Sequence, residues 1–287
     1  MGVVNITPDS FSDGGSFLDP DKAIAHAIRL IDEGADILDL GAESTRPGSR
    51  AGGHIGGNDA IVSADEEKQR LLPVVDGILK ALPHAVLSVD TYKAATARAA
   101  LTAGAEIVND VSGFSWDPNL ASVCAEFRAA VVLAHTRGRP DEWRAQPMLD
   151  PDVLLTTVRG GLSASVAAAE RAAIPREAIV LDPGYGFGKR FGENFTLLAR
   201  QAKLLSLGRP LLAGLSRKSF LGHALAPLYG GQDAPTPARE NASLAAMTAA
   251  ILNGASIVRV HQVRPAVEAA RIADAILDAD QTGPALE

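Results

Sequence analysis

The feature that most limits what this chain can fold into is an alternation, kept from end to end, between short apolar runs and longer helical patterns. Eight runs read as strands: Val3–Thr7, Ile37–Gly41, Val86–Asp90, Ile107–Val111, Val131–His135, Ile179–Asp182, Leu211–Leu215 and Ile257–His261. They are continuous rather than alternating, the pattern of strands covered on both faces. The segments between them carry helix signals. Pro20 follows the capping residue Asp19, Ile24, Ile28 and Ile31 share one face, and Gly34 supplies the stop. Ser63 and Glu66 have capping-box spacing ahead of Leu71, Val74, Ile78 and Leu82. Helices are also predicted over Lys93–Ala103, from Asp150-Pro151 to about Ala173, and over Phe195–Leu205, Arg239–Leu252 and Pro265–Leu277. This order predicts an α/β fold, a (β/α)8 TIM barrel, as a single domain over all 287 residues. A doubly wound sheet is the alternative, with fewer strands and one ligand-binding switch point.

Composition narrows the partners. There are 27 basic and 34 acidic side chains, a net charge of −7, and no basic run. That argues against nucleic acid or an anionic membrane as the partner and leaves small molecules. Cys124 is the sole cysteine, so no intrachain disulfide forms and a reducing cytoplasm is expected. Residues 1–7 lack the basic start of a signal peptide. The uncharged stretch Asn241–Val258 contains Ser243, Thr248, Asn253 and Gly254, and reads as a buried helix followed by a strand rather than a membrane span.

In a barrel, ligand chemistry gathers at the C-terminal strand ends. Here those ends carry Asn5, Asp39, Asp90, Asn109-Asp110, His135, Asp182, Ser216-Arg217-Lys218, and Arg259 with His261. Any one of them reads equally well as a cap or turn residue. Together they read better as a site, because Arg, Lys and His are not helix N-caps and would face the positive end of a helix dipole. An anion accounts for them. The loops after strands seven and eight are a frequent phosphate site in barrels, and Arg259 and His261 lie two apart on an extended chain, so both face one way. Asn5 ends the strand that neighbours strand eight on closure, and a neutral amide oxygen beside phosphate suits Mg2+. Opposite them, Asp90, Asn109 and Asp182 can accept and donate along the edge of a flat amino-heterocycle; alternatively the two carboxylates pair with Lys or Arg across the barrel. Residues 9–17 and 44–63 are glycine-containing segments of the kind that form mobile covers.

The longer motifs carry a family resemblance. Asn5-Ile6-Thr7-Pro8-Asp9-Ser10-Phe11-Ser12-Asp13-Gly14-Gly15 and Glu43-Ser44-Thr45-Arg46-Pro47-Gly48 resemble the two signatures of the dihydropteroate synthases. Ser88-Val89-Asp90-Thr91, Asn109-Asp110, Asp182-Pro183-Gly184-Tyr185-Gly186-Phe187-Gly188-Lys189, Ser216-Arg217-Lys218-Ser219 and Arg259-Val260-His261 follow in the family's order. The resemblance implies condensation of a dihydropterin-methyl diphosphate with 4-aminobenzoate on a Mg2+-dependent barrel that dimerises through outer helices and is a sulfonamide target. Carried over, Asn5 resembles the Mg2+ ligand. Asp90, Asn109, Asp182 and Lys218 match the pterin pocket. Thr45, Arg259 and His261 match diphosphate contacts, and Arg46, Pro47 and Ser219 match the aminobenzoate side. Asp90, Asp182, Lys218, Arg259 and His261 are the residues expected to act on the reacting groups.

Some positions depart from that pattern. Ala42 stands where Gly is expected. Tyr185 replaces Phe, which predicts a hydroxyl near the pterin. Thr136-Arg137 predicts added charge at the rim, and Ser49–Ala60 is a glycine-rich insertion. Phe191-Gly192 is expected to border the aminobenzoate site, where an altered turn offers a way to separate substrate from sulfonamide; a drug-insensitive variant is the lesser of the two expectations, behind an ordinary sensitive enzyme. Two other activities fit parts of the pattern: a barrel presenting methyl-tetrahydrofolate to a corrinoid protein, and a lyase using Lys218 as a Schiff-base amine.

Overall fold

The computed structural model describes residues 1–6, 20–43 and 62–282. The segments read as covers, 9–17 and most of 44–63, lie outside them, as does the Ser49–Ala60 insertion. Eight strands alternate with helices: β1 (Gly2–Asn5), β2 (Ile37–Gly41), β3 (Val86–Asp90), β4 (Ile107–Asp110), β5 (Ala130–Ala134), β6 (Ile179–Asp182), β7 (Leu211–Ala213) and β8 (Ala255–Val258). All are parallel and each pairs with the next in sequence. The ring closes between its ends, where Val3 N–H donates to Val260 at 2.9 Å and Val260 N–H donates to Met1 at 3.0 Å. This is the (β/α)8 TIM barrel.

The described helices are α1 (Pro20–Asp32), α2 (Ala64–Ala81), α3 (Ala94–Thr102), α4 (Leu120–Glu126), α5 (Pro151–Arg171), α6 (Phe191–Ala199), α7 (Ser219–Ala224), α8 (Glu240–Leu252) and α9 (Val263–Thr282). The capping box at α2 forms as its spacing predicts, with Ser63 Oγ accepting the Glu66 N–H at 3.1 Å. Helix α6 begins four residues before the predicted Phe195, because the Glu193 carboxylate accepts the Arg190 N–H and caps the turn. The chain then tightens into a 3-10 helix at Gln201–Leu207. Helices α4 and α7, of 7 and 6 residues, are too short to show a hydrophobic period and are additions to the sequence reading.

Strand parity sorts the core into two layers. Leu38, Leu40, Leu87, Val89, Val108 and Leu181 face outward and pack under the helices. Met1, Val132 and Leu212, ringed by Ile37, Ile107, Val180 and Ile257, fill the lower interior of the barrel. The floor of the barrel is therefore apolar, and the polar strand residues of the same inward parity sit above it.

Candidate active site

A cavity of about 290 Å3 opens at the C-terminal ends of the strands. Asn5, Asp90, Asn109, Asp182, Lys218, Ser219, Arg259 and His261 all line it. Thr45, Arg46 and Pro47 lie outside the described residues.

Below the cavity is a polar layer centred on Asp39, which has no exposed surface. Its Oδ1 accepts from Ser88 Oγ at 2.6 Å, and its Oδ2 accepts from Asn109 Nδ2 at 3.1 Å and Arg259 Nε at 2.5 Å. Arg259 Nη2 also donates to Asp90 at 2.8 Å. Asp90 thus has the cross-barrel cation that the sequence left as an alternative, and its partner is an arginine carried over to the diphosphate side. Burial pushes the Asp90 carboxyl up to about 7, opposed by Arg259 and assisted by the neighbouring Asp39. Burial disfavours the Arg259 cation, but Asp39 and Asp90 outweigh that and hold it charged. Asp182 accepts the Gly184 N–H at 2.7 Å; burial raises its carboxyl against that bond and the pull of Lys218.

The cationic side is held by backbone as much as by charge. His261 Nδ1 lies 2.9 Å from Ser216 Oγ. Arg217, next along, adopts φ 61°, a left-handed conformation costly for a residue with a Cβ. It is clamped there: its N–H donates to Ser243 Oγ at 3.0 Å, its carbonyl accepts from Arg239 Nη1 at 3.1 Å, and its Nε donates to Glu240 at 2.5 Å. Arg217 and Arg239 both reach the cavity. Arg217 was visible in its motif, whereas Arg239, at the start of a helical pattern, gave no sequence signal.

A flat aromatic wall completes the cavity. Lys218 Nζ sits 3.9 Å from the centroid of Phe187, which stacks on Trp143 at 5.0 Å. The loop bearing Phe187 wraps the buried ammonium of Lys189, which donates to the carbonyls of Gly184, His135 and Phe187 at 2.7, 3.0 and 3.3 Å. Burial lowers Lys189 to about 7. Gly184 has φ 71°, and a Cβ there would meet the His135 carbonyl oxygen at 1.9 Å, so only glycine allows this approach. At the opposite edge Glu43 lines the cavity, gripped by Lys93, which also pairs with Glu67 at 3.0 Å.

Several strand-end residues do something other than face the site. His135 has outward parity; its ring packs over Gly161 of α5, and burial first, then Lys189 and Arg137, push it down to about 2, so it is neutral. Asp110 also lies outward and caps its own turn, accepting the N–H groups of Ser112 and Phe114 at 2.8 and 2.6 Å. The extra hydroxyl of Tyr185 points away from the cavity and donates to Gln201 at 2.7 Å. Arg137 adds no free rim charge, because it is buried against Glu193 at 3.2 Å. Phe191 lies in the first turn of α6, stacked on His223 at 4.2 Å, and is not among the cavity residues.

Among the described residues, no three His, Cys, Asp or Glu side chains gather as a metal cage. Asn5 offers one neutral amide oxygen beside the cationic wall. That donor set fits Mg2+, which keeps waters and takes phosphate oxygens, and does not fit a metal needing a full protein shell.

Comparisons with known proteins bear on this geometry. A family model described as "Pterin binding enzyme" matches residues 1–261. The dihydropteroate synthase of Bacillus subtilis is 40% identical over 278 residues, covering 97% of this chain and 88% of that protein. A solved structure of Xanthomonas albilineans dihydropteroate synthase with 4-aminobenzoic acid superposes with a TM-score of 0.83 at 38% identity, covering 97% of this chain and 93% of the other. The Yersinia pestis dihydropteroate synthase with a sulfonamide drug complex gives 0.85 at 36% identity, covering 97% and 94%.

Proposed function

The chain belongs to the dihydropteroate synthase family of pterin-binding enzymes, and from that premise we propose that it joins (7,8-dihydropterin-6-yl)methyl diphosphate to 4-aminobenzoate, releasing diphosphate and 7,8-dihydropteroate for folate biosynthesis. One observation carries the reading: a single cavity has an acid-lined slot on one side and a cationic wall on the other, with Arg259 spanning the two.

The slot accepts the heterocycle. Asp90 and Asp182 take ring and amino N–H groups, and Asn109 completes the edge. The methylene C–O bond then breaks, its electron pair leaving with the diphosphate. Positive charge spreads into the pterin, where the ionised carboxylates of Asp90 and Asp182 favour it. His261 and Arg259 hold the departing anion, while Lys218, over the ring of Phe187, stays with the pterin. Arg259 spends two N–H donors on Asp39 and Asp90, and a guanidinium has five, so donors remain for phosphate oxygens. The neutral arylamine attacks the methylene, forms the C–N bond and loses a proton. Ser219 and Phe187 bound the side from which it approaches, which the family motif also gives to Arg46 and Pro47, with Thr45 on the diphosphate side. Mg2+, held through Asn5, would supply further positive charge to the leaving diphosphate.

Binding is ordered in this scheme, with aminobenzoate retained only after diphosphate is in place; calorimetry showing tight aminobenzoate binding without it contradicts the order. Drug response follows the wall actually present. Phe191 lies off the cavity, which favours ordinary sulfonamide inhibition over the insensitive variant that the Phe191-Gly192 turn suggested. An inhibition curve decides between them. The chain acts as a homodimer in this reading, since Ile272 and Ile276, one turn apart on α9, are 64% and 51% exposed. Light scattering checks the mass. The reduced, buried Cys124 suits a cytoplasmic setting, and among the described residues no helix is long and apolar enough to cross a membrane.

The deciding assay follows diphosphate release from the pterin diphosphate plus 4-aminobenzoate, with and without Mg2+. Release that needs both substrates and falls on chelation supports the reading. Pterin binding without any diphosphate release would point to the methyl-transfer barrel, and borohydride trapping of a carbonyl compound on Lys218 would point to the lyase.

A further inference from the structure

We propose that Ser243, a buried residue of α8 that does not line the cavity, is a positioning residue: it holds Arg217 in a left-handed turn and so sets Ser216 and Lys218 against the two ends of the pterin diphosphate. This role deepens the pterin diphosphate reading and rests on it.

The turn after β7 is built with an unfavourable residue for its shape. Lys218 N–H donates to the Leu215 carbonyl at 3.3 Å, closing a four-residue turn with Arg217 third, at φ 61°. Positive φ at that place belongs to a type II turn, which takes Gly or Asn because other side chains crowd the next carbonyl there. Arginine is therefore held by contacts from outside the turn, and three residues at or beside the start of α8 supply them. The Arg217 carbonyl accepts from Arg239 Nη1 at 3.1 Å, and Arg217 Nε donates to Glu240 at 2.5 Å. Both contacts run through long side chains that can follow the backbone if it moves. The Arg217 N–H goes to Ser243 Oγ at 3.0 Å, on a short side chain that cannot follow. Ser243 spends its one hydroxyl hydrogen on the Arg239 carbonyl at 2.7 Å, one helical turn back, so its oxygen is left as an acceptor for Arg217. A serine serving only its own helix would make the second bond and not the first.

The residues flanking Arg217 serve opposite ends of the cavity. Ser216 Oγ lies 2.9 Å from His261 Nδ1 and accepts the His261 N–H at 3.3 Å, on the diphosphate side. Lys218 Nζ lies 3.9 Å from the centroid of Phe187, on the heterocycle side. If Arg217 relaxed to the right-handed or extended backbone that it prefers, Ser216 and Lys218 could not both keep these contacts. Only the fraction of molecules holding the turn would then be competent, and apparent affinity falls by that fraction. A ligand that needs the turn pulls it back at saturation, so the loss appears in KM and not in kcat.

The test follows diphosphate release while the pterin diphosphate is varied at saturating 4-aminobenzoate, with Ser243→Ala and Arg217→Gly made singly and together. Ser243→Ala in the parent is expected to raise KM for the pterin diphosphate about tenfold and to keep kcat within about twofold, the signature of one left-handed residue released. Glycine takes that conformation at no steric cost, so in the Arg217→Gly background the same substitution should move KM by less than about twofold. What Arg217→Gly loses for itself, the pair with Glu240 and the reach into the cavity, is common to both members of that comparison and cancels. Arg217→Asn takes its place if the glycine protein does not fold, as read by circular dichroism. No rise in KM, an equal rise in the two backgrounds, or a fall confined to kcat overturns the proposal. So does a folded Arg217→Gly protein that neither binds the pterin diphosphate nor turns over, because the site then needs the arginine side chain and not the turn. Unfolding by Ser243→Ala in both backgrounds makes Ser243 a residue of the fold alone and equally overturns it. A parent that releases no diphosphate removes the pterin diphosphate reading itself; a parent that turns over, without the glycine rescue, removes only the role of Ser243.

Discussion

Replacing Lys189 by methionine takes a buried cation out from under the β6 loop while roughly keeping its length. The ammonium holds three carbonyls, but the variant strands only one of them outright. Gly184 O keeps the Phe187 N–H at 3.1 Å and Phe187 O keeps the Arg137 N–H at 3.4 Å, whereas His135 O has Lys189 as its donor at 3.0 Å. One unpaired buried carbonyl costs about 1–3 kcal/mol. The pH dependence makes the prediction specific. Lys189 titrates near 7 in the folded protein against 10.5 in the unfolded chain. Between those values the unfolded chain carries the extra proton, so the parent gains stability as pH rises, by up to about 1.4 kcal/mol per pH unit, and below pH 7 that gain is absent. The methionine variant has no such group. Denaturant titrations at pH 6.5, 7.5 and 8.5 should therefore show the gap between parent and variant widening with pH. The displaced loop carries Phe187 and Gly186, both on the cavity wall, so kcat/KM should fall by about tenfold or more. Parallel stability curves across this range, or unchanged turnover, would refute the account of Lys189 as the core of the loop.

Other consequences can be checked alongside. Asp90→Asn should leave the barrel folded by circular dichroism yet reduce turnover by about a hundredfold or more, since it removes charge facing the developing pterin cation. With the Asp90 carboxyl raised to about 7, kcat/KM for the pterin diphosphate should rise as pH climbs through that value and fall below it, and Asp90→Asn should abolish this acid limb. The same raised carboxyl works against stability as pH rises from about 4 to 7, because the native state then holds the proton more tightly than the unfolded chain; urea midpoints of the asparagine variant should lack that decline. Gly184→Ala has to push a Cβ out of a 1.9 Å approach to backbone at φ 71°, so a loss of thermal stability with weakened pterin binding is expected, measured by calorimetry.

Much of this protein was legible in one dimension. The continuous apolar runs mark the strands, and alternation within each run already decides which polar residue faces the interior. By that count Asp39, Asp90, Asn109, Asp182, Arg259 and His261 point in, while Asp110 and His135 point out to a turn and to α5. Asp39 was read among the strand-end residues but given no role, because the partners that define it lie on or beside three other strands. The helix boundaries were less legible. Helices α4 and α7 have too few turns for a period, and the start of α6 depends on Glu193 reaching back to the Arg190 N–H.

Partner choice was decided by closure of the barrel. Arg259 and Asp39 are 220 residues apart, Arg259 and Asp90 169 apart, and nothing local to any of them says that one guanidinium will bridge both carboxylates. The same holds for the clamp of Ser243, Glu240 and Arg239 around the left-handed Arg217, and for Lys189 beneath its loop. Local periodicity fixes which face a side chain leaves from, because that depends on the backbone alone. Which charge it meets depends on the curvature that brings distant strands together, and that exists only once the ring has closed.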